Sequence, residues 1–314
     1  MRHASVAALI TAAAVVLLAA PAAAQAPDTG GWTPARTPWG HPDLQGIWDQ
    51  TTGTPLERAA EAGDREFLTE EEAAERERLR FAAFDAAPRQ GSPGNYGSQW
   101  RDGSRNALTR TSLIVDPPDG RIPPRTPAAE RRAAENQARR RDHPADSWED
   151  RNLWERCITR GTPRVPNNYN SNILILQTPD AVVLLNEMIN ETRVVSLDGR
   201  PHLGPGIRLW NGDSRGHWEG DTLVVQTTNF SARQQFRGLP VDGLRLVERF
   251  TRTGPDRMDY EMTLDDPAMY TRTWTVVLPM TETGGPIFEY ACHEGNYGME
   301  GILAGHRAEE RALR

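Results

Sequence analysis

The sequence predicts a mainly β protein: an antiparallel meander closed as a barrel, preceded by an N-terminal arm of short helices and irregular segments. Three observations predict it. From Asn172 to Ala291 the chain runs in short segments of period-two or continuous β-branched patterning. The links are turn sequences such as Thr178-Pro179-Asp180, Glu219-Gly220-Asp221 and Gly254-Pro255-Asp256, with no helical pattern between them. Ten short strands in one meander also favour closure, because closing a sheet removes its edges.

The elements follow in chain order. Residues 1–24 read as a cleavable signal peptide: Arg2 and His3, an apolar run over Val6–Ala20, Pro21, then an A-x-A site before Gln25. Residues 25–155 form the arm. Its Pro-rich opening is extended, and Leu44–Trp48 is a short strand candidate. Thr54-Pro55-Leu56-Glu57 has the cap, proline and acid of a helix start. Thr69-Glu70-Glu71-Glu72 repeats that logic and opens a helix through about Phe84. Residues 88–106 read as a long loop, and Thr111–Val115 as a strand before the turn Asp116–Gly120. Thr126-Pro127 opens a helix to about Arg141, and Asp146–Glu149 caps another ending near Arg156. Residues 156–314 carry the barrel and a short C-terminal helix. The candidate strands there are Ile173–Gln177, Ala181–Met188, Thr192–Leu197, Ile207–Trp210, Gly216–Glu219, Thr222–Thr228, Leu244–Arg252, Arg257–Leu264, Thr271–Leu278 and Ile287–Ala291.

Composition excludes several functions. All 36 basic residues are arginine, so a lysine Schiff base and a P-loop lysine are ruled out. The net charge of −7 argues against nucleic-acid binding. The run at Arg131, Arg132 and Arg139–Arg141 therefore reads as a solvated helix face, with the Glu-rich helix at 70–77 as a partner. After the leader no apolar stretch is long enough to span a membrane, so the mature chain is expected to be soluble in the periplasm or secreted. Cys157 and Cys292 have one intramolecular pairing open to them in an oxidising compartment; two buried free thiols are the alternative.

No spacing specifies a metal or cofactor site, and neither is expected. His202, His217, His293 and His306 have no ligand pattern, and Asp265-Asp266 with Glu261 reads as a turn before it reads as a calcium site. Gly212-Asp213-Ser214-Arg215-Gly216 matches G-x-S-x-G. A hairpin follows where a nucleophile elbow needs a helix, so Ser214 is expected to be inert.

The richest cluster is Tyr290–Tyr297. Here His293 and Glu294 are candidate acid–base groups, and Tyr297 or Asn296 candidate donors to a developing oxyanion. Glu187 joins them as a candidate catalytic carboxylate if it points into the barrel, with Arg193 as its local partner; a structural ion pair is the alternative. His202, Trp210 and Trp274, with Arg193 and Asn296, are candidates for substrate contact. Two functions compete. One is a metal- and cofactor-independent lyase, isomerase or hydrolase acting on a small molecule in the barrel cavity. The other is a non-catalytic periplasmic protein binding an apolar or aromatic ligand. Nothing in the pattern specifies an oligomeric state.

Gly46-Ile47-Trp48, after an extended segment, resembles the G-x-W signature on the first strand of lipocalins. That resemblance implies a lipocalin-like barrel whose bottom is closed by the Trp beside an Arg. About a hundred residues then intervene before the meander, where lipocalins run on directly. Asp43–Trp48 with Thr54–Arg58, Thr111–Arg121, Trp218–Val225 and Tyr290–Tyr297 also resemble a widespread group of exported bacterial proteins without assigned function. That resemblance implies no activity.

Overall fold

The computed structural model describes residues 32–86, 97, 109–165 and 170–313. The expected signal peptide and most of the expected loop at 88–106 lie outside the described residues. The strands are β1 (Gly46–Asp49), β2 (Ile114–Asp116), β3 (Asn172–Gln177), β4 (Ala181–Asn186), β5 (Glu191–Ser196), β6 (Asp213–Glu219), β7 (Thr222–Thr228), β8 (Gln235–Phe236), β9 (Leu239–Pro240), β10 (Arg245–Gly254), β11 (Arg257–Asp265) and β12 (Trp274–Thr283). The helices are α1 (Glu70–Asp85), α2 (Pro127–Asp142) and α3 (Tyr297–Ala312).

Nine strands close a barrel in the order β1-β3-β4-β5-β6-β7-β10-β11-β12, with β12 returning to β1. The mainly β barrel is therefore the fold. The arm contributes to it directly: β1 bridges β3 and the end of β12, and β2 pairs with the start of β12. The hairpins are antiparallel, but β5 and β6 meet in parallel at Ser196↔Arg215. A closed barrel of nine strands cannot alternate throughout, so one neighbouring pair must run the same way. The cause is the segment Ile207–Trp210, expected to be a strand, which makes only an isolated bridge at Leu209↔Phe230. With that strand missing from the meander, β5 and β6 are left as neighbours. Gly216 lets them approach: a Cβ there would lie 2.7 Å from Val195 Cγ1 and 2.8 Å from Leu197 Cδ2.

Three further expectations are corrected. Thr54–Arg58 is not helical, because tertiary pairing overrides its cap signal: Leu113 donates to the Pro55 carbonyl, Ile114 to Leu56, and Arg58 to Gly120. The helix expected from Asp146 to Arg156 shrinks to one 3-10 turn at Trp148–Asp150, since the Asn152 side chain captures the Glu155 N–H at 2.9 Å. Ile287–Ala291 is irregular, not a strand. By contrast, α1 and α2 form where their caps lie, with Thr69 and Glu72 making a capping box and Thr126 accepting from Ala129 N.

The middle of the barrel is packed. Leu184, Val195, Leu246, Met258, Met262, Val276 and Met280 all have no accessible surface. One end is closed by the arm: Trp48 is fully buried, donates from Nε1 to the Leu44 carbonyl at 3.0 Å, and lies under the Arg252 guanidinium at 5.1 Å. The other end, where β5, β6 and β10 begin, is polar.

Candidate functional site at the polar mouth

Strand parity builds the buried part of the site. Val195 pairs with Val182 across β4 and β5, so Glu191 and Arg193 share its inward face, while Val194 is turned outward and 62 % exposed. On β10 the inward residues are Leu246, Glu248 and Phe250, and on β11 Tyr260 lies inward between two methionines. Arg193 therefore meets Glu248, not Glu187, in a bidentate pair at 2.7 and 2.8 Å. The Tyr260 hydroxyl donates to the same carboxylate. Burial pulls the Arg193 guanidinium down, but the Glu248 charge and hydrogen bonds reverse this and leave it above its ordinary value. Burial, then the Glu248 charge, pushes the Tyr260 hydroxyl well above its usual range, so it serves as a neutral donor.

Nearer the mouth, Glu191 Oε1 accepts from the Thr159 hydroxyl and the Asn211 amide. Its buried Oε2 has no hydrogen-bond partner. The loop 157–165 carries Thr159 and also Arg164. Arg164 is half-buried; among the described residues its buried Nη1 has no hydrogen-bond partner and its guanidinium forms no ion pair. Burial lowers its pKa to about 10, against the partial support of Glu191. This loop is held from two sides. Cys157 is disulfide-bonded to Cys292, and Gln234 packs so closely on Gly161, at φ +86°, that a Cβ there would meet its Nε2 at 1.7 Å.

Outside this loop lies a groove of about 700 Å³ between α2, the 148–160 segment and the β8–β9 hairpin. Thr159 lines the groove and bonds Glu191, so it joins the groove to the buried cluster. Seven arginines line the groove against three carboxylates, in a chain whose net charge is −7. Arg156 and Arg160 lie over the exposed rings of Trp148 and Trp154, at 4.4 and 4.8 Å. Within the arginine run, Arg139 pairs with Asp150 at 3.3 Å and Arg141 with Asp142 at 2.8 Å. The expected partner, α1, pairs its own acids with Arg65, Arg78 and Arg80.

The structure does not assemble the residues that the sequence grouped for catalysis. His293 and Glu294 stand exposed in a turn, and Tyr297 is 77 % exposed at the start of α3. Glu187 is buried at the β4–β5 turn, accepting from Asn172 Nδ2 at 2.9 Å and Phe288 N at 3.4 Å. It anchors the C-terminal strap that carries His293 on to the disulfide. Asn296 donates to the Glu155 carbonyl at 3.0 Å. His202 Nδ1 lies 2.9 Å from Asp213 Oδ2, a carboxylate that Arg215 and the Leu203 N–H also reach. Trp210 is half-buried in the turn before β6. Trp274 is a core residue without accessible surface, packed on Phe236 and Tyr270, so no ligand reaches it in this structure. Ser214 is buried on β6, 2.9 Å from the Thr227 hydroxyl, and among the described residues no histidine or carboxylate hydrogen-bonds to it. Of the expected contact residues, Arg193 alone belongs to the buried cluster. Arg164, Glu191, Glu248 and Tyr260 were missed. A charged or hydroxyl side chain at an inward position of an alternating strand signals the last three; Arg164 lies on a loop and has no such signal.

No family model, no curated protein and no solved structure matches the chain. No helix among the described residues is long and apolar enough to cross a membrane.

Proposed function

We propose that the protein is an exported protein that binds a small organic anion at the mouth of its barrel, with Arg164 as the anchor. The observation that carries this reading is a half-buried guanidinium whose Nη1 is buried without a hydrogen-bond partner and which has no carboxylate partner among the described residues, on a loop beside a groove rich in arginine. An isolated buried cation is costly to fold around, and a carboxylate or similar anion would supply the missing partner. A pKa of about 10 keeps Arg164 charged at neutral pH. Tryptophan rings in the groove favour an aromatic or other flat body on that anion.

Titration calorimetry against a panel of small aromatic and aliphatic carboxylates tests it. Arg164→Gln should weaken the best ligand by roughly tenfold to a hundredfold, the worth of a hydrogen bond to a buried charge. Equal binding by the variant, or by the neutral amide of the ligand, would refute it.

A catalytic reading rests on Glu191. One of its oxygens is fixed by two donors and the other is buried and unpartnered, which suits a general base positioned by its neighbours. In that case Glu191→Gln keeps ligand affinity and abolishes turnover. If the same variant leaves turnover intact, the site is a binding site only.

A further inference from the structure

We propose that Asp146, His306 and Glu310 bind a divalent transition-metal ion, zinc by its ligand chemistry, with water completing the coordination. The site lies where the end of α2 and the turn after it meet the last turns of α3. One ligand atom from each of Asp146, His306 and Glu310 falls within 4.8 Å of the others. His306 Nε2 is 3.1 Å from Asp146 Oδ1 and 3.7 Å from Glu310 Oε1. Tetrahedral zinc, with bonds of about 2.0–2.1 Å, holds its ligand atoms roughly 3.3–3.4 Å apart. The two separations bracket that value, so only small side-chain shifts are needed to seat an ion.

The supporting structure fits as well. His306 and Glu310 are four residues apart on α3 and share a face. His143 Nδ1 lies 2.7 Å from the second Asp146 oxygen and so orients that carboxylate without using the ligand oxygen. Arg307 bonds the Ala145 and Asp146 carbonyls and the far oxygen of Glu310, which fixes the helix against the turn without using the ligand atoms. His306 Nδ1 is buried without a hydrogen-bond partner, yet lies 3.8 Å from Glu309 Oε2. Once Nε2 is a ligand, Nδ1 carries the proton and Glu309 is its acceptor, the usual support for a metal-bound imidazole. An imidazole with two carboxylates suits zinc better than magnesium or calcium, which prefer oxygen alone. Binding breaks the hydrogen bond between His306 Nε2 and Asp146, and any proton on Nε2 is released to solvent or moves to Nδ1.

The ion would have a structural consequence. None of the residues of α3 is buried, so the helix has little apolar anchorage. The ion would clamp it to the 143–150 segment that forms one wall of the arginine-rich groove.

The test uses the untagged full chain, stripped with a chelator and titrated with zinc chloride by calorimetry. One equivalent should bind, and the melting temperature should rise with zinc concentration. Cobalt should bind in its place with visible absorption typical of tetrahedral coordination. His306→Ala, and separately the helix-compatible Glu310→Gln, should each weaken zinc by at least about tenfold. His217→Ala, at a surface histidine on β6, should leave binding unchanged. Absence of zinc binding, retention of full affinity in His306→Ala or in Glu310→Gln, or loss in His217→Ala would overturn the proposal.

Discussion

Replacing Glu248 by Leu removes one member of a buried triad and leaves the other two in place. Glu248 has no exposed side-chain surface and Arg193 only 7 %. The substitution deletes two charge-assisted hydrogen bonds to Arg193 and the acceptor for Tyr260, and it strands a guanidinium among apolar neighbours. Breaking one partner of such a pair costs about 3–5 kcal/mol, most of it the penalty of the charge left behind. Replacing all three members, Arg193→Met, Glu248→Leu and Tyr260→Phe, removes every charge of the triad, and the Thr227 hydroxyl, 3.5 Å from Glu248, keeps Ser214 as its partner. The surroundings are Leu246, Phe250, Met258 and Met262, so an apolar triad should come within about 1 kcal/mol of the parent, or exceed it. Guanidinium unfolding with the disulfide intact measures both. A loss under about 1 kcal/mol in Glu248→Leu would mean that water relieves Arg193, and the site is wetter than its burial implies. A triple variant as unstable as the single one would mean that shape, not charge, sets the cost.

Other consequences follow from the same geometry. Titration of denatured, unreduced protein with Ellman's reagent should find no free thiol. Replacing Cys157 and Cys292 together by Ala should cost about 2–5 kcal/mol in unfolding experiments, since the bridge closes 135 residues of chain. Gly216→Ala should cost about 1–3 kcal/mol, because its Cβ meets two packed side chains at the parallel junction of β5 and β6; a neutral result would show that junction to be loose. Burial raises Asp259 and Glu261 above their ordinary 3.8 and 4.5, so the folded state binds their protons more tightly than the unfolded chain. Their contribution to stability grows as pH falls through the raised values and shrinks as it climbs back. Asp259→Asn with Glu261→Gln should therefore flatten the stability profile above those ordinary values, and an unchanged profile by chemical denaturation would contradict the assignment.

The barrel was legible because its signals are local. Alternation in β10, β11 and β12 survives in each strand separately, and the capping residues of α1 and α2 sit next to the helices they start. The misreadings share one cause, which is partners far away in the chain. Thr54–Arg58 carries every mark of a helix start, yet its backbone is claimed by residues 113–120. Ile207–Trp210 has strand composition, yet closing the barrel leaves it no place. The sequence reading pairs Arg193 with Glu187, a carboxylate six residues before it. Its true partner, Glu248, lies 55 residues on and is chosen by barrel geometry. The Glu248 position was nonetheless readable, because a charge between two apolar residues on an inward face needs a buried partner.

The candidate site was harder to read, and the reason is the chemistry of its cation. A lysine at position 164 could escape burial by losing its proton, since an ammonium shifts its pKa readily and neutralises. Arginine cannot escape in this way: even after burial has lowered Arg164 to about 10, it remains charged at neutral pH. A chain whose basic residues are all arginine therefore keeps its full positive charge wherever the fold buries it. Arg193 resolves that burden internally through Glu248. Arg164 lies on a loop whose position is set by a disulfide, a glycine and Gln234, none of which neutralises it. The sequence marks Cys157 as a disulfide candidate and gives no signal for the arginine seven residues later. Long-range contacts place the loop at the barrel mouth, where Arg164 has no ion-pair partner and Glu191 Oε2 no hydrogen-bond partner among the described residues. The same fold features that hold the loop in place thus keep a permanent cation beside a carboxylate with which it forms no ion pair. On the proposed reading, an anion entering the mouth would supply the partner that this arrangement lacks.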